Sequence, residues 1–132
     1  MSAIPAGTKV AVSATAPGTS RRALLLDDES AWTAPATPAT ITLRFPQPVS
    51  ATKLGLTFQG GFVASTVTLE GVVPGGEDGG REVDLGKVYP EDVSRRQVFD
   101  VSVDNVVELR LELAASSDHH GRVTLYHVEL LA

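Results

Sequence analysis

The stretch of residues 54–73 constrains the fold of this chain more than any other feature of the sequence. Leu54, Leu56 and Phe58 alternate with smaller or polar residues, and this period of two is typical of a β-strand with one buried face. Gln59-Gly60-Gly61 comes next, and glycines tolerate the positive φ angles that a tight turn or a bulge requires. Alternation then resumes, so the stretch predicts two strands joined at a glycine turn.

Similar short alternating runs recur along the whole chain and predict about eight strands. They cover residues 9–14, 40–45, 54–58, 66–73, 82–88, 97–103, 107–113 and 122–131. Pro46 and Pro48 are expected to end the second of these strands, because proline donates no hydrogen bond to a ladder. Asp104-Asn105 is expected to turn the chain between the sixth and seventh strands.

The remaining segments are predicted to be connections. Two prolines make residues 33–39 an irregular connection, and residues 74–80 form a flexible polar hairpin tip. Residues 23–26 begin as a helical turn that is too short for an independent helix, and residues 1–8 form a loose tail. With no amphipathic helix, the pattern predicts an all-β fold, a single antiparallel β-sandwich of jelly-roll topology spanning residues 1–132.

Composition narrows the functional classes. The absence of cysteine excludes a disulfide framework, a thiolate zinc site and a cysteine nucleophile. A net charge of −5 argues against binding to nucleic acid or to an anionic membrane. No apolar run approaches the roughly 20 residues that span a bilayer, and the amino terminus lacks the pattern of a secretory signal. We therefore expect an intracellular protein.

Several segments resemble a known family. Asp27, Ser30 and Trp32 have the spacing of an acid, a hydroxyl and a tryptophan in the entry loop of discoidin-type, galactose-binding-like jelly rolls. Four further segments are, in this order, similar to the small orphan-nuclear-receptor-associated proteins: residues 43–47, 58–62, 89–92 and 121–127. The resemblance runs from about Asp27 to Leu131. It implies a protein-interaction module of the transcriptional cofactor or repressor type, in the nucleus or the cytoplasm.

The resemblance also raises the question of calcium. Many discoidin-type modules hold a structural calcium ion with two acids, but Leu25 and His127 stand at those positions here, and only the hydroxyl of Ser30 matches. Calcium needs six to eight oxygen ligands, so the loss of two carboxylates removes most of the site. Residues 27–29 could form a weak site, although a solvated acidic turn is favoured. We expect no metal and no cofactor.

Trp32 is the only tryptophan of the chain. On a lectin surface it would be a stacking platform for a sugar ring, whereas in the resembling fold it more often plugs one end of the barrel. Large aromatic side chains are mostly buried, so the core position is favoured.

Three histidines and one arginine are the remaining polar candidates. His119 and His120 are adjacent, so on an extended backbone they would point to opposite sides, and nothing in the spacing brings His127 to the same metal. Arg122 could pair with Asp118 or Glu91, or could contact an incoming ligand; an internal ion pair is favoured.

No serine lies in the Gly-x-Ser-x-Gly turn of a hydrolase, and no residue constellation supports an enzyme. The sequence therefore predicts a non-enzymatic protein-protein interaction module, with a carbohydrate-binding module as the alternative. Carbohydrate is the less favoured ligand because only 5% of the residues are aromatic. The faces of the sandwich strands pack against the core, so the partner protein should bind at loops or at an open edge; Tyr89, His119, His120 and Arg122 are the predicted surface.

Overall fold

The computed structural model describes residues 3–26, 30–75 and 80–132. In these segments the chain forms seven strands and a 3-10 helix at Arg21–Leu25. The strands are β1 Lys9–Val12, β2 Trp32–Ala34, β3 Ala39–Phe58, β4 Ala64–Val73, β5 Arg81–Val88, β6 Arg96–Ser116 and β7 Val123–Leu131. None of the helical structure in the described segments is long and apolar enough to cross a membrane.

All strand pairs are antiparallel, and the pairings divide into two layers joined by β3 and β6. The first layer has the order β5, β4, the carboxyl half of β6, the amino half of β3, and β1. The second has the order of the amino half of β6, the carboxyl half of β3, β7 and β2. This arrangement confirms the antiparallel sandwich expected from the sequence.

The expected end of a strand at Pro46 is wrong, because β3 continues through both prolines for 20 residues. Its register with β6 shifts between Arg44 and Val49, so Pro46 and Pro48 lie where the ladder is interrupted and no donor is needed. Likewise β6 passes through the expected turn at Asp104-Asn105, where Asn105 has a φ of 55°. The sandwich therefore has fewer and longer strands than the sequence predicted.

Two other segments are more ordered than expected. Residues 32–34 pair with the start of β7, because the first proline of this connection comes only at Pro35. The described part of the expected loose tail, from Ala3 onward, contacts the sandwich, and residues 1–2 lie outside the described residues. There the Ala3 amide donates to the Leu130 carbonyl, and Ile4 packs against the core. The expected helical turn at residues 23–26 is present as the 3-10 helix, with Ser20 as its N-cap.

Alternating apolar side chains fill the space between the layers. Leu54, Leu56 and Phe58 are fully buried, which confirms the face assigned from the sequence. The described core also includes fully buried side chains from the 3-10 helix and from β2, β3, β4, β6 and β7: Leu24, Trp32, Ile41, Leu43, Leu69, Leu109, Leu111, Leu113 and Leu125. Because these side chains fill the space between the layers, functional residues are expected on the loops at the ends of the strands.

Candidate functional site

Three loops meet at one end of the sandwich, which we call the loop end: residues 59–63, 89–95 and 117–122. A carboxylate oxygen of Asp92 accepts hydrogen bonds from the Gly61 amide, at 2.7 Å, and from the Ser117 hydroxyl, at 3.2 Å. The two loops that carry the predicted surface are thus joined through Asp92 and Ser117.

The glycine turn at residues 59–61 permits this junction. Phe62 N–H donates to the Gln59 carbonyl at 3.0 Å, and Gly61 has a φ of 87°, which strains other residues. The Gly60 amide donates to the Ser94 hydroxyl at 2.6 Å, and a Cβ at Gly60 would lie 2.8 Å from that oxygen. The turn predicted from the sequence is therefore also the contact that holds the 89–95 loop.

The 89–95 loop presents Tyr89, whose side chain is 66% exposed, directly after β5. Behind it, the Glu91 amide donates to Gln97 Oε1 at 2.8 Å and Gln97 Nε2 donates to the Glu91 carbonyl at 2.9 Å. Glu91 also pairs with Arg95 at 3.2 Å. The exposed ring of Tyr89 therefore lies on a loop whose backbone is held by hydrogen bonds.

Asp118 organises the 117–122 loop. Its carboxylate accepts from the amides of His120 and Arg122 and from the Arg122 guanidinium, whose Nε lies 2.9 Å from Oδ2. The favoured internal ion pair of Arg122 is therefore present, with Asp118 rather than Glu91 as its partner. The guanidinium hydrogen bond holds the pKa of Asp118 well below its ordinary value and raises the pKa of Arg122.

These pKa shifts fix the pH dependence of the pair. A carboxylate with a depressed folded-state pKa contributes stability that is complete above the ordinary aspartate value of about 3.9. That contribution decreases progressively as the pH falls below this value and is gone below the lower folded-state pKa. The Asp118–Arg122 pair therefore stays ionised throughout the physiological range.

The expectation that His119 and His120 point to opposite sides is wrong. Their rings meet edge to face, with centroids 5.2 Å apart, because the backbone turns there and the Gly121 amide donates to the Asp118 carbonyl. Both imidazoles are exposed. In the part of the chain that the structure describes, no cluster of three or more histidine or acidic residues could hold a metal ion.

Arg122 also contacts an aromatic ring, since its guanidinium carbon lies 5.3 Å from the centroid of Phe62. Sequence reasoning found Arg122 but missed Phe62, which its guanidinium contacts, and Ser117, which joins the 117–122 loop to Asp92. Among the described residues, Tyr89 forms no hydrogen bond or ring contact with His119, His120 or Arg122. The predicted surface is thus a histidine–arginine cluster and a separate tyrosine on two joined loops.

We expect Asp92→Ala to lower the free energy of unfolding by about 1 kcal/mol, because the Gly61 amide and the Ser117 hydroxyl would lose their acceptor. Urea denaturation measures the change. Asp92→Asn is the control, since its amide oxygen can accept both bonds without the charge, and it should cost less than the alanine variant. Equal stability of Asp92→Ala and wild type would show that this junction does not hold the loops.

The residues implied by the calcium resemblance do not form an oxygen cage. His127 Nδ1 lies 2.9 Å from the Leu26 carbonyl, and Leu25 packs against the core. Residues 27–29, which could have improvised a site, lie outside the described residues.

Calcium is accordingly expected to leave the stability unchanged. Thermal melts in millimolar calcium and in chelator should coincide, because a ligand of the native state must raise its melting temperature. A rise of several degrees with calcium would contradict this expectation.

Trp32 is fully buried, which confirms the core position over the sugar platform. Its indole Nε1 donates to the Ala14 carbonyl at 3.2 Å and to the Thr15 hydroxyl at 3.1 Å. Both the ring and its polar atom are therefore engaged inside the protein.

No protein-family model matches the chain. It is 38% identical over 106 residues to the nuclear receptor 2C2-associated protein of Mus musculus, covering 80% of this chain and 73% of the mouse protein. The chain belongs to this family. The Homo sapiens protein of the same name is 34% identical over 106 residues, with the same coverage. The Xenopus laevis protein is 40% identical over 91 residues, or 69% of this chain, and the chain spans 64% of its length.

Solved structures agree on the fold of this nuclear receptor 2C2-associated protein family member. A family 32 carbohydrate-binding module from Clostridium perfringens, in complex with GalNAc-β-1,3-galactose, superposes with a TM-score of 0.79. The identity is 12%, and the match covers all of both chains. An F5/8 type C domain from Bacteroides fragilis gives 0.76 at 14% identity, over 94% of this chain and 90% of that domain. These similarities establish the discoidin-like jelly roll. Neither the names of the relatives nor these neighbours indicate catalytic activity.

Proposed function

We propose that this chain is a non-enzymatic protein-interaction module that acts as an adaptor or transcriptional cofactor in the nucleus or the cytoplasm. The observation that carries the proposal is the 38% identity over 106 residues to a protein named for its association with nuclear receptor 2C2. The proposed partner of this chain is, like a nuclear receptor, a transcription regulator.

We assign partner binding to the loop end. Tyr89, His119, His120 and Arg122 are exposed there, and tyrosine and arginine are the residue types most enriched among binding hot spots. The hydrogen bonds of Asp92 and Asp118 brace the two loops before any partner arrives. A preorganised loop loses less conformational entropy on binding, which favours affinity.

Carbohydrate binding is the second candidate, because the structural neighbours include modules solved with GalNAc-β-1,3-galactose and with galactose. Those neighbours share 12–13% identity with this chain, so they support the fold more than the ligand. A sugar ring needs an exposed aromatic platform, and Trp32 is buried. Tyr89 is the exposed ring that remains for this purpose at the loop end among the described residues.

Affinity capture from native extract, run in parallel with a glycan array, tests the proposal. We expect specific retention of protein partners that includes a transcription regulator, and no glycan bound at millimolar concentration. Binding of galactose-type glycans without any specific protein partner would reverse the order of the two candidates. Addition of free galactose to the capture separates direct protein contacts from contacts through glycans.

A further inference from the structure

A second surface lies outside the loop end, in a groove between β1 and the 3-10 helix. The groove has a volume of about 730 Å³, and none of its lining residues belongs to the loop end. Val10, Leu25 and Leu26 supply apolar surface, and Leu26 is 48% exposed. An exposed leucine beside other aliphatic side chains in a concave site is typical of a binding groove.

Four cationic side chains line the same groove: Lys9, Arg21, Arg22 and Arg44. This concentration stands out in a chain of net charge −5. Arg44 pairs with Glu108 at 3.0 Å, and the same carboxylate also pairs with Arg110. Among the described residues, no acidic side chain pairs with any of the other three. Their mutual repulsion is relieved when an anionic group enters the groove.

The side chain of Arg21 is held in a position that favours binding to a partner's side chain over pairing with a partner's strand. Its Nε donates to the Val10 carbonyl at 3.0 Å, which holds the guanidinium against the wall of the groove. The bond occupies a carbonyl of β1, an edge strand that pairs only with β3 in the described structure. Addition of another strand at this point would have to break the bond, whereas a carboxylate can use the remaining guanidinium N–H groups.

We propose that this groove binds an acidic segment of a partner protein that also carries an aliphatic side chain. The carboxylates of the segment pair with Lys9, Arg21 and Arg22, and the aliphatic side chain covers Leu26. The positive charge of the groove selects an acidic partner. The apolar floor binds the aliphatic side chain of that partner, which a simple polyanion lacks. Residues 27–29 follow Leu26 in the sequence and lie outside the described residues.

A protein segment fits better than a membrane surface. The groove is concave, so a flat lipid surface would not reach its floor, and the net charge of −5 opposes approach to an anionic bilayer. The site does not depend on the function proposed for the loop end. Variants of the two surfaces can therefore fail separately.

NMR amide shifts locate even weak binding of a probe peptide made of Glu, Asp and Leu. We expect shifts at Lys9–Val12 and Arg21–Leu25, and none in the 117–122 loop. Two control peptides, one with the acids replaced by their amides and one with Leu replaced by Ser, should each bind more weakly. No response of the groove amides to the acidic peptide, or equal binding by both controls, would overturn the proposal.

Charge-reversal variants then test whether the cations of the groove bind the peptide. K9E/R22E is expected to weaken peptide binding about tenfold. R81E/K87E makes the same change in net charge on β5, outside the groove, and should bind as wild type does. Leu26→Ser tests the apolar anchor at an exposed position, and the loop-end variant Arg122→Ala should keep peptide binding. Equal weakening by both reversals, or binding of phosphatidylserine vesicles but not peptide, would contradict the proposal.

Discussion

Replacing Trp32 by alanine is expected to lower the free energy of unfolding by about 3–5 kcal/mol. The side chain is fully buried in β2, a three-residue edge strand that depends on the ring to pack it against the core. Removal of the indole leaves a cavity that the β-sandwich around it cannot collapse to fill. Equilibrium denaturation in urea measures the change, and the transition should remain cooperative.

Trp32→Phe is the matched control. It keeps an aromatic ring in the same space but loses the indole N–H that donates to Ala14 and Thr15. Both residues are exposed enough for water to replace the lost donor, so the phenylalanine variant should cost less than half of the alanine variant. Unchanged stability of Trp32→Ala, combined with lost sugar binding, would instead make Trp32 a platform and favour the lectin function.

The sequence predicts the fold well where local periodicity decides it. Leu54, Leu56 and Phe58 alternate, are all fully buried, and lead into a turn at Gly61 as expected. The core position of Trp32 follows from the size of its ring. In each case the decisive information lies within a few residues, because the period of two and the glycine turn are properties of the local chain.

The errors concern interactions between distant residues. Pro46 ends a strand only if the ladder needs a donor there, and a register shift against β6 removes that need. Nothing near Pro46 in the sequence reveals where β6 will be. Conversely, residues 32–34 become a strand because β7 pairs with them some 90 positions later. Local sequence patterns predict where strands form, whereas the position of the partner strand determines where each strand bends.

The candidate site likewise combines a contact that the sequence could predict with contacts that it could not. Arg122 pairs with Asp118 four residues before it, so the sequence could identify that pair as an alternative. The bond from Ser117 to Asp92 spans 25 positions, and the contact of Arg122 with Phe62 spans 60, so neither could be read from spacing. The facing rings of His119 and His120 depend on a turn that an extended-backbone assumption misses.

The quadruple variant Y89A/H119A/H120A/R122A is expected to weaken binding of the captured protein partner by about 100-fold. This loss corresponds to the removal of one or two interface hot spots. The variant should stay folded, because all four side chains are exposed and the Asp118 carboxylate keeps two backbone amide donors. Its melting temperature is measured first, and binding is then compared with wild type by pull-down and titration.

A matched control keeps the interpretation specific to the loop end. E70A/R81A/K87A/E112A also replaces four exposed side chains by alanine, but on β4, β5 and β6 of the first layer, and should retain wild-type affinity. Arg122→Lys refines the assignment, since lysine keeps the charge but loses the planar fork that stacks on Phe62 and grips Asp118. If the folded quadruple variant retains every wild-type partner, the partner binds elsewhere, either at an edge strand or in the basic groove. K9E/R22E then separates these two locations, because it changes the groove and leaves the other edges intact.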